Sequence, residues 1–410
     1  MANQFLTGKD IILFSLKSWD TEIGTSSKQY ARVFAKNNNR VLFVNRALDR
    51  ISTIRSRKDP KIKERLESFR HKERSLREAE KNIWVLNPPT ILESINWISM
   101  PAVFDLFNKL NNRRLARQID KAAATLGFKD SILYIENDFL RSFYLPEMIG
   151  SVAKTIYYIR DYLPSQDYFK THGERLEPKM IKKADVVTTN SVHLMKYAKK
   201  YNPSSYFVGQ GCDLRLFSEA AFPLPEDMKG IGYPIIGYTG AIFNTRLDIE
   251  LLVKIAQQRK DWNIVMVGPE DEHFRRSELH RLPNVFFLGK KKLEELPAYI
   301  HYFDVCINPQ AVNEMTIGNY PLKADEYLAM GKPMVATRTD AMEMFEDHVR
   351  LCDTPEEYLS GIDGYLAAGQ DEPAREKRKA FARGHTWENC FGLLDSALQT
   401  QSTNGSHHEK

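Results

Sequence analysis

The chain has 410 residues, 42% of them hydrophobic and 27% charged, the balance of a water-soluble protein whose length suits two domains of roughly 200 residues each. Its four cysteines, Cys212, Cys306, Cys352 and Cys390, stand singly, without a Cys-x-x-Cys pair or a nearby histidine spacing, which speaks against a zinc module or disulfide scaffold and for a reducing cytoplasm. No apolar run approaches the roughly 18 residues of a membrane span, and Asp10 directly precedes the first apolar segment, so neither a spanning helix nor a signal peptide is expected.

The first half alternates strand and helix. Apolar runs at 11–16 and 40–45 predict strands on either side of a helix over 26–36, and further strands are expected at 83–86, 131–135, 155–158, 185–188 and 206–208. Strands separated by helical patterns imply a doubly wound parallel sheet, so residues 1–217 read as a Rossmann-like domain. Between the first strand and helix, Gly24 lets backbone amides approach a ligand, and Thr25 reads as a contact, a helix N-cap or both. Asp138 and Asp161 follow later strands and read either as site residues or as turn caps.

The net charge of +5 is unevenly spread: twelve Lys or Arg lie between Arg50 and Lys81 against six acids, leaving the rest of the chain about neutral. This segment reads as a solvated helix laced with opposite charges, or as a basic face for anionic headgroups at roughly 1 kcal/mol per basic residue. Aromatic residues hardly interleave the charges, and no nucleic-acid partner is expected. Ile91, Leu92, Ile95, Trp97, Ile98, Met100, Val103, Phe104, Leu106 and Phe107 follow, too dense for a fully solvated face; they predict core packing, or else an apolar groove or membrane-touching patch.

Residues 218–233, with Pro223, Pro225, Gly230 and Gly232, read as a linker. Alternation restarts over 234–385, with strands at 235–238, 262–267, 285–288, 305–308 and 334–337 and a helix over 247–259. A last helix is expected at 386–399, and the polar tail 400–410 reads as disordered. Gly240 follows a strand as a tight turn, and the next helix is expected to aim its free N–H groups and positive dipole at an anion. Arg246, read as that helix's start, is electrostatically misplaced for stability there but can fork two donors onto a phosphate.

The most informative stretch runs from Asn313 to Thr337. A polar loop enters a short helix that carries Lys323 and Glu326 on one face, and a Gly-Lys-Pro turn then feeds an apolar strand. One cation and one carboxylate are thereby placed at the mouth of a parallel sheet, where α/β proteins bind ligands. This stretch resembles the Pro-Leu-Lys-x-x-Glu-Tyr-Leu-Ala-x-Gly-Lys-Pro signature of family 4 glycosyltransferases, and is similar to those of teichuronic acid and envelope polysaccharide synthesis. Gln210–Phe217, Ile236–Asp248, Trp262–Pro269 and Leu282–Gly289 resemble further family segments in the right order.

The resemblance implies the GT-B fold, two Rossmann-like doubly wound domains facing across a cleft, with the helix at 386–399 crossing back to the first domain. It implies a retaining, metal-independent transferase that takes a UDP- or GDP-sugar as donor, needs no cofactor, and serves a glycan or lipid-linked acceptor bound by the first domain. Arg246, Lys323, Glu326, Asp138 and Asp161 are the implied catalytic set. Gly24, Thr25, Gly240, Gly268, Pro269, Leu288, Gly289, Asn319, Tyr320, Pro321 and Leu322 are the implied donor contacts. With the basic and apolar residues of 50–107, a cytoplasmic enzyme at the inner face of an anionic membrane is expected. The chain departs from the wider family at Gly318, where many members carry a first glutamate, and at Ala241, where many carry arginine. A nucleotide-sugar 2-epimerase and a non-catalytic partner of the same fold are the alternatives; no Asp-x-Asp motif or flanking carboxylate pair appears.

Overall fold

The computed structural model describes residues 5–21, 25–55, 60–71, 74–217, 221–369 and 371–405; Gly24 lies outside them. The chain divides into two compact units, one running to Gly209 and resuming at Cys390, the other spanning Gln210–Asn389.

The first unit is built on an eight-stranded sheet in the order Ser205–Phe207, Val186–Thr189, Val152–Ile159, Ser131–Glu136, Asp10–Ser15, Arg40–Val44, Ile83–Leu86 and Leu76–Glu80. All neighbours are parallel except the last pair. The helix Ser26–Lys36 shows how the sequence builds it: Tyr30, Ala31, Val33 and Phe34 form the buried face, and the Thr25 hydroxyl accepts from the Lys28 amide at the N-terminus. Chain order reverses between Asp10–Ser15 and Ser131–Glu136, and there the Ser15 hydroxyl donates to the buried Glu136 carboxylate at 2.7 Å. Ser26 donates to its other oxygen, and Arg160 donates to Ser26 at 3.0 Å. Burial works against the charge on Arg160, but Asp161 and Glu136 raise its pKa above the usual arginine value.

The second unit has six parallel strands in the order Val285–Phe287, Asn263–Val267, Ile235–Thr239, Val305–Asn308, Met334–Thr337 and Arg350–Cys352. Alternate residues serve its two faces: Ile235, Val265, Val267 and Cys306 join one core cluster, while Ile236, Ile264, Met266 and Ile307 join the other. Burial of each such side chain contributes about 1.5–3 kcal/mol.

Four expectations are corrected. Residues 210–217 pack with the second unit rather than closing the first, because the Cys212 amide donates to the His385 carbonyl at 2.9 Å and Phe217 is buried in the second core. The stretch read as a linker is partly structural, since Met228 joins that core and Asp227 accepts from Lys291 at 2.6 Å and Tyr299 at 2.8 Å. The basic segment is not one helix: helices Arg50–Arg55 and Pro60–Arg70 precede the antiparallel edge strand Leu76–Glu80, which turns at Asn82 (φ 64°) into Ile83–Leu86. The last helix spans Trp387–Gly405 and so runs through the start of the tail read as disordered. Ser396 and Thr400 bond back to carbonyls four residues earlier, which keeps their hydroxyls satisfied within the helix.

The apolar stretch at 91–107 divides. Leu92, Ile95, Ile98 and Phe104 are core, whereas Trp97, Met100 and Leu106 are 76%, 62% and 68% exposed. Among the described residues no helix is long and apolar enough to cross a membrane.

Candidate functional site

In the second unit, chain order reverses between Ile235–Thr239 and Val305–Asn308, and a cavity of about 280 Å³ opens there, with Thr239 and Asn308 in its wall. A crevice at the carboxyl ends of strands on either side of such a reversal is where open α/β sheets take ligands. Arg246, Lys323, Glu326, Gly240, Asn319, Tyr320, Pro321 and Leu322, all singled out in the sequence, line it together.

Lys323 and Glu326 come from the helix Leu322–Ala329. Glu326 is buried, its carboxylate makes no hydrogen bond among the described residues, and burial pushes its pKa up to about 7 while Lys323 pulls the other way. The Lys323 ammonium lies 4.9 Å from the ring centroid of Tyr238. Neither Lys323 nor Arg246 has a carboxylate partner within 4.0 Å among the described residues. The cavity therefore offers two cations to an anion and one unpartnered carboxylate to hydroxyl donors. The buried Asn308 Oδ1 adds a further unpartnered acceptor in the same wall.

Arg246 is not at a helix start. The helix it was assigned to spans Ile249–Gln258 and is capped by Asp248, whose carboxylate accepts from the Leu251 amide at 3.0 Å. Arg246 belongs to the preceding loop, held by backbone bonds to Phe243 and from Ala311, and the acidic Asp248 cap disfavours an anion at that helix end. The helix Leu322–Ala329 is the one that meets the cavity by its N-terminus, with Pro321 at the cap position and no side-chain cap.

Two residues hold this helix in place: Asp325, which falls at an open position of the signature, and Tyr327, which belongs to it. Asp325, next to Glu326 but fully buried, is bonded to His385 Nδ1 at 2.6 Å and accepts from the Tyr320 hydroxyl at 2.7 Å. Burial raises the Asp325 pKa and these two partners oppose the rise. Tyr327 accepts from the Thr239 amide at 2.7 Å, tying the helix to the strand end. Of the other polar lining residues, Asn308 carried a readable signal, as the polar end of an apolar strand, whereas Gln310 and Thr316 in the loop beyond it carried none.

Gly268, Pro269, Leu288 and Gly289 follow the strands Asn263–Val267 and Val285–Phe287 and are not part of the cavity wall. Gly268 supports it from behind, since a Cβ there would lie 1.7 Å from the Gly240 carbonyl oxygen. In the first unit, Thr25 caps its helix, Asp138 caps a turn through the Arg141 amide at 2.9 Å and pairs with Arg141 at 2.8 Å, and Asp161 pairs with Arg160 at 3.1 Å. Glu136, which the sequence reading passed over for its neighbour Asp138, is the acid at that sheet's reversal point.

Two parallel α/β units of this kind are the GT-B fold. Residues 233–374 match the family model described as Glycosyl transferases group 1, so the second unit carries a domain of that kind. The chain is also similar to the "Putative teichuronic acid biosynthesis glycosyltransferase TuaH" of Bacillus subtilis (strain 168), 30% identical over 229 residues. That match covers 52% of this chain and 56% of the relative, so the chain spans little more than half of that protein's length.

Among solved structures, sucrose-phosphate synthase from Thermosynechococcus elongatus superposes with a TM-score of 0.64 at 15% identity, covering 97% of this chain and 100% of that one. Anabaena HepE in complex with UDP gives 0.63 at 16% identity, covering 95% and 100%. An E. coli trehalose-6-phosphate structure bound with UDP-2-fluoro glucose gives 0.66 at 12%, covering 95% and 99%. At these identities the likeness is one of fold.

Proposed function

We propose that the protein is a retaining glycosyltransferase that moves a sugar from a UDP- or GDP-sugar to a glycan or lipid-linked acceptor in cell-envelope polysaccharide synthesis. The observation that carries this reading is the meeting of Arg246, Lys323 and the unpartnered Glu326 carboxylate in one cavity at the sheet's reversal point. The similarity to a teichuronic acid glycosyltransferase and the group 1 match support it.

In this reading Glu326 accepts bonds from the ribose hydroxyls, while Arg246, Lys323 and the first-turn amides of Leu322–Ala329 take the diphosphate. The bond from the anomeric carbon to the diphosphate breaks as the acceptor hydroxyl attacks on the same face. The hydroxyl proton passes to an oxygen of the departing nucleoside diphosphate. Charge on that leaving group grows in the transition state, so donors aimed at it accelerate the reaction, and neither a cofactor nor a divalent metal is called for.

The enzyme would work in the cytoplasm, with residues 50–107 touching the anionic inner membrane face. Flotation with phosphatidylglycerol vesicles checks this: binding at low salt that is lost at high salt is expected, and none at either salt refutes it.

Thermal-shift titration with UDP-, GDP-, ADP- and TDP-sugars tests the donor. One base should stabilise strongly, a ligand at 100 times its dissociation constant adding about 2.7 kcal/mol, and stabilisation by none would overturn the reading. Conversion of donor without any acceptor would instead mark the site as a nucleotide-sugar 2-epimerase.

A further inference from the structure

The first unit holds a second cavity, of about 420 Å³, that the donor reading does not use. Its two lining arginines, Arg46 and Arg141, follow the carboxyl ends of the parallel strands Arg40–Val44 and Ser131–Glu136, the position at which such sheets take ligands. Both line the cavity, and repulsion from Arg141, followed by burial, lowers the pKa of Arg46.

The acids nearby are already engaged. Asp49 accepts from the Ser52 amide at 2.9 Å and the Ser94 hydroxyl at 2.7 Å and lies 3.5 Å from Arg46. Glu93 pairs with Arg50 at 2.6 Å and Arg114 at 2.9 Å, and Asp138 takes one side of Arg141 at 2.8 Å. What remains is donor capacity: Arg141 Nη1 and Asn96 Nδ2 are both buried and have no hydrogen-bond partner among the described residues. Buried donors are rarely left empty-handed, and two in one cavity mark the place of an acceptor that the protein itself does not supply.

The cavity is not closed. Through Ser94, Ile95 and Trp97 it shares a wall with an apolar groove of about 440 Å³ that continues along Met100, Val103 and Phe107. Trp97 and Met100 stand at its edge, 76% and 62% exposed. An end with spare buried donors, lined by two arginines already paired with acids, joined to an apolar trough fits one kind of molecule, hydrogen-bond accepting at one end and hydrocarbon along the rest.

We propose that this cavity and groove bind an amphiphilic phosphate, a phosphate or diphosphate ester of a long apolar chain, with the ester oxygens on Arg46, Arg141 and Asn96 and the chain along Trp97 to Phe107. As the acceptor site it rests on the transferase reading; as a binding site it stands apart from it.

Calorimetry on the full chain with decyl phosphate, inorganic phosphate and decanol tests the proposal. Decyl phosphate should bind at least about tenfold more tightly than either part alone, since each supplies only half of the contacts. Arg46→Gln and Trp97→Ser, both at partly or largely exposed side chains, should each weaken it about tenfold, while Arg141→Lys keeps the charge beside Asp138 and loses the second donor. Equal binding of inorganic phosphate would make this a free-anion site, and equal binding of decanol a plain apolar groove. Binding to phosphatidylglycerol vesicles without binding to decyl phosphate would make it a membrane contact, and variants without effect would place the ligand elsewhere; each result overturns the proposal. UDP binding measured on the same samples separates the two ideas. If decyl phosphate binds and no nucleotide does, the transferase reading fails and the amphiphile site stands.

Discussion

His385 Nδ1 lies 2.6 Å from the fully buried Asp325 carboxylate, and this pair stands directly behind Glu326 on the helix that forms one wall of the cavity. Asp325 turns inward to His385 and Tyr320, and Glu326 turns to the cavity. One helix thus carries two adjacent buried acids with opposite duties.

Replacing His385 by Ala leaves that inner carboxylate with one partner fewer. The loss should cost about 1–3 kcal/mol of stability, visible as a lower urea midpoint with an unchanged slope. Nucleotide affinity should fall as well, because the helix carrying Lys323 and Glu326 loses its anchor. An unchanged midpoint would show that the pair does not brace the helix.

Glu326 should make nucleotide binding depend on pH. Burial raises its pKa in the folded protein from 4.5 to about 7, so the folded state holds this proton more firmly than the unfolded chain and the stability tied to it declines as pH rises through about 7. Hydroxyl donors prefer the ionised form, so UDP affinity should increase over that same range and offset the burial cost. In Glu326→Gln the affinity should drop by about 1.5–3 kcal/mol at neutral pH and lose the part of its pH dependence that the nucleotide's own phosphate does not supply. A variant that follows the wild-type profile would remove Glu326 from the site.

Arg246→Ala and Lys323→Ala should lower turnover more than donor affinity, because a group aimed at a departing diphosphate acts most strongly in the transition state. EDTA should leave the wild-type rate unchanged. Loss of activity in EDTA with recovery on adding magnesium would show that a metal carries the charge instead.

Gly268→Ala places a methyl group 1.7 Å from the Gly240 carbonyl oxygen, a backbone atom that cannot swing aside. The strand ends behind the cavity must then part, at about 1–3 kcal/mol or more, with donor binding weakened in the same protein. A variant of wild-type stability would mean that this wall yields more easily than its packing implies.

Glu177, buried in the first unit, accepts from Tyr157 at 3.1 Å and Tyr197 at 3.2 Å, and burial pushes its pKa up to about 8 despite them. The folded pKa exceeds the ordinary carboxyl value of 4.5, so this group's stability contribution is complete below about 4.5 and is lost as pH rises through about 8. Glu177→Gln, which cannot ionise, should raise the melting temperature relative to wild type above about pH 8 and change it little near pH 5. Equal shifts at both would mean that the carboxyl is ionised in the fold throughout.

The sequence by itself settled the two α/β units, the parallel strands of both sheets except the edge strand Arg350–Cys352, and the helix that brings Lys323 and Glu326 to one face. Those features rest on local periodicity, apolar runs of strand length and spacings of three or four along a helix, which a chain displays before it folds. The tertiary structure alone decided what stands behind and between them. His385 reaches Asp325 from 60 positions away, and Ser15 meets Glu136 across 121, so no local pattern could announce either pair. The same holds for the end of the first unit, where the chain's pattern runs on to Phe217 but the second core claims that side chain. Arg246 makes the point within the site itself: its nearness to a helix start was legible, but only the fold placed it in a loop before that helix and brought the N-terminus of Leu322–Ala329 to the same cavity. Periodicity is a property of neighbours along the chain, whereas a site is made by residues that packing alone brings together.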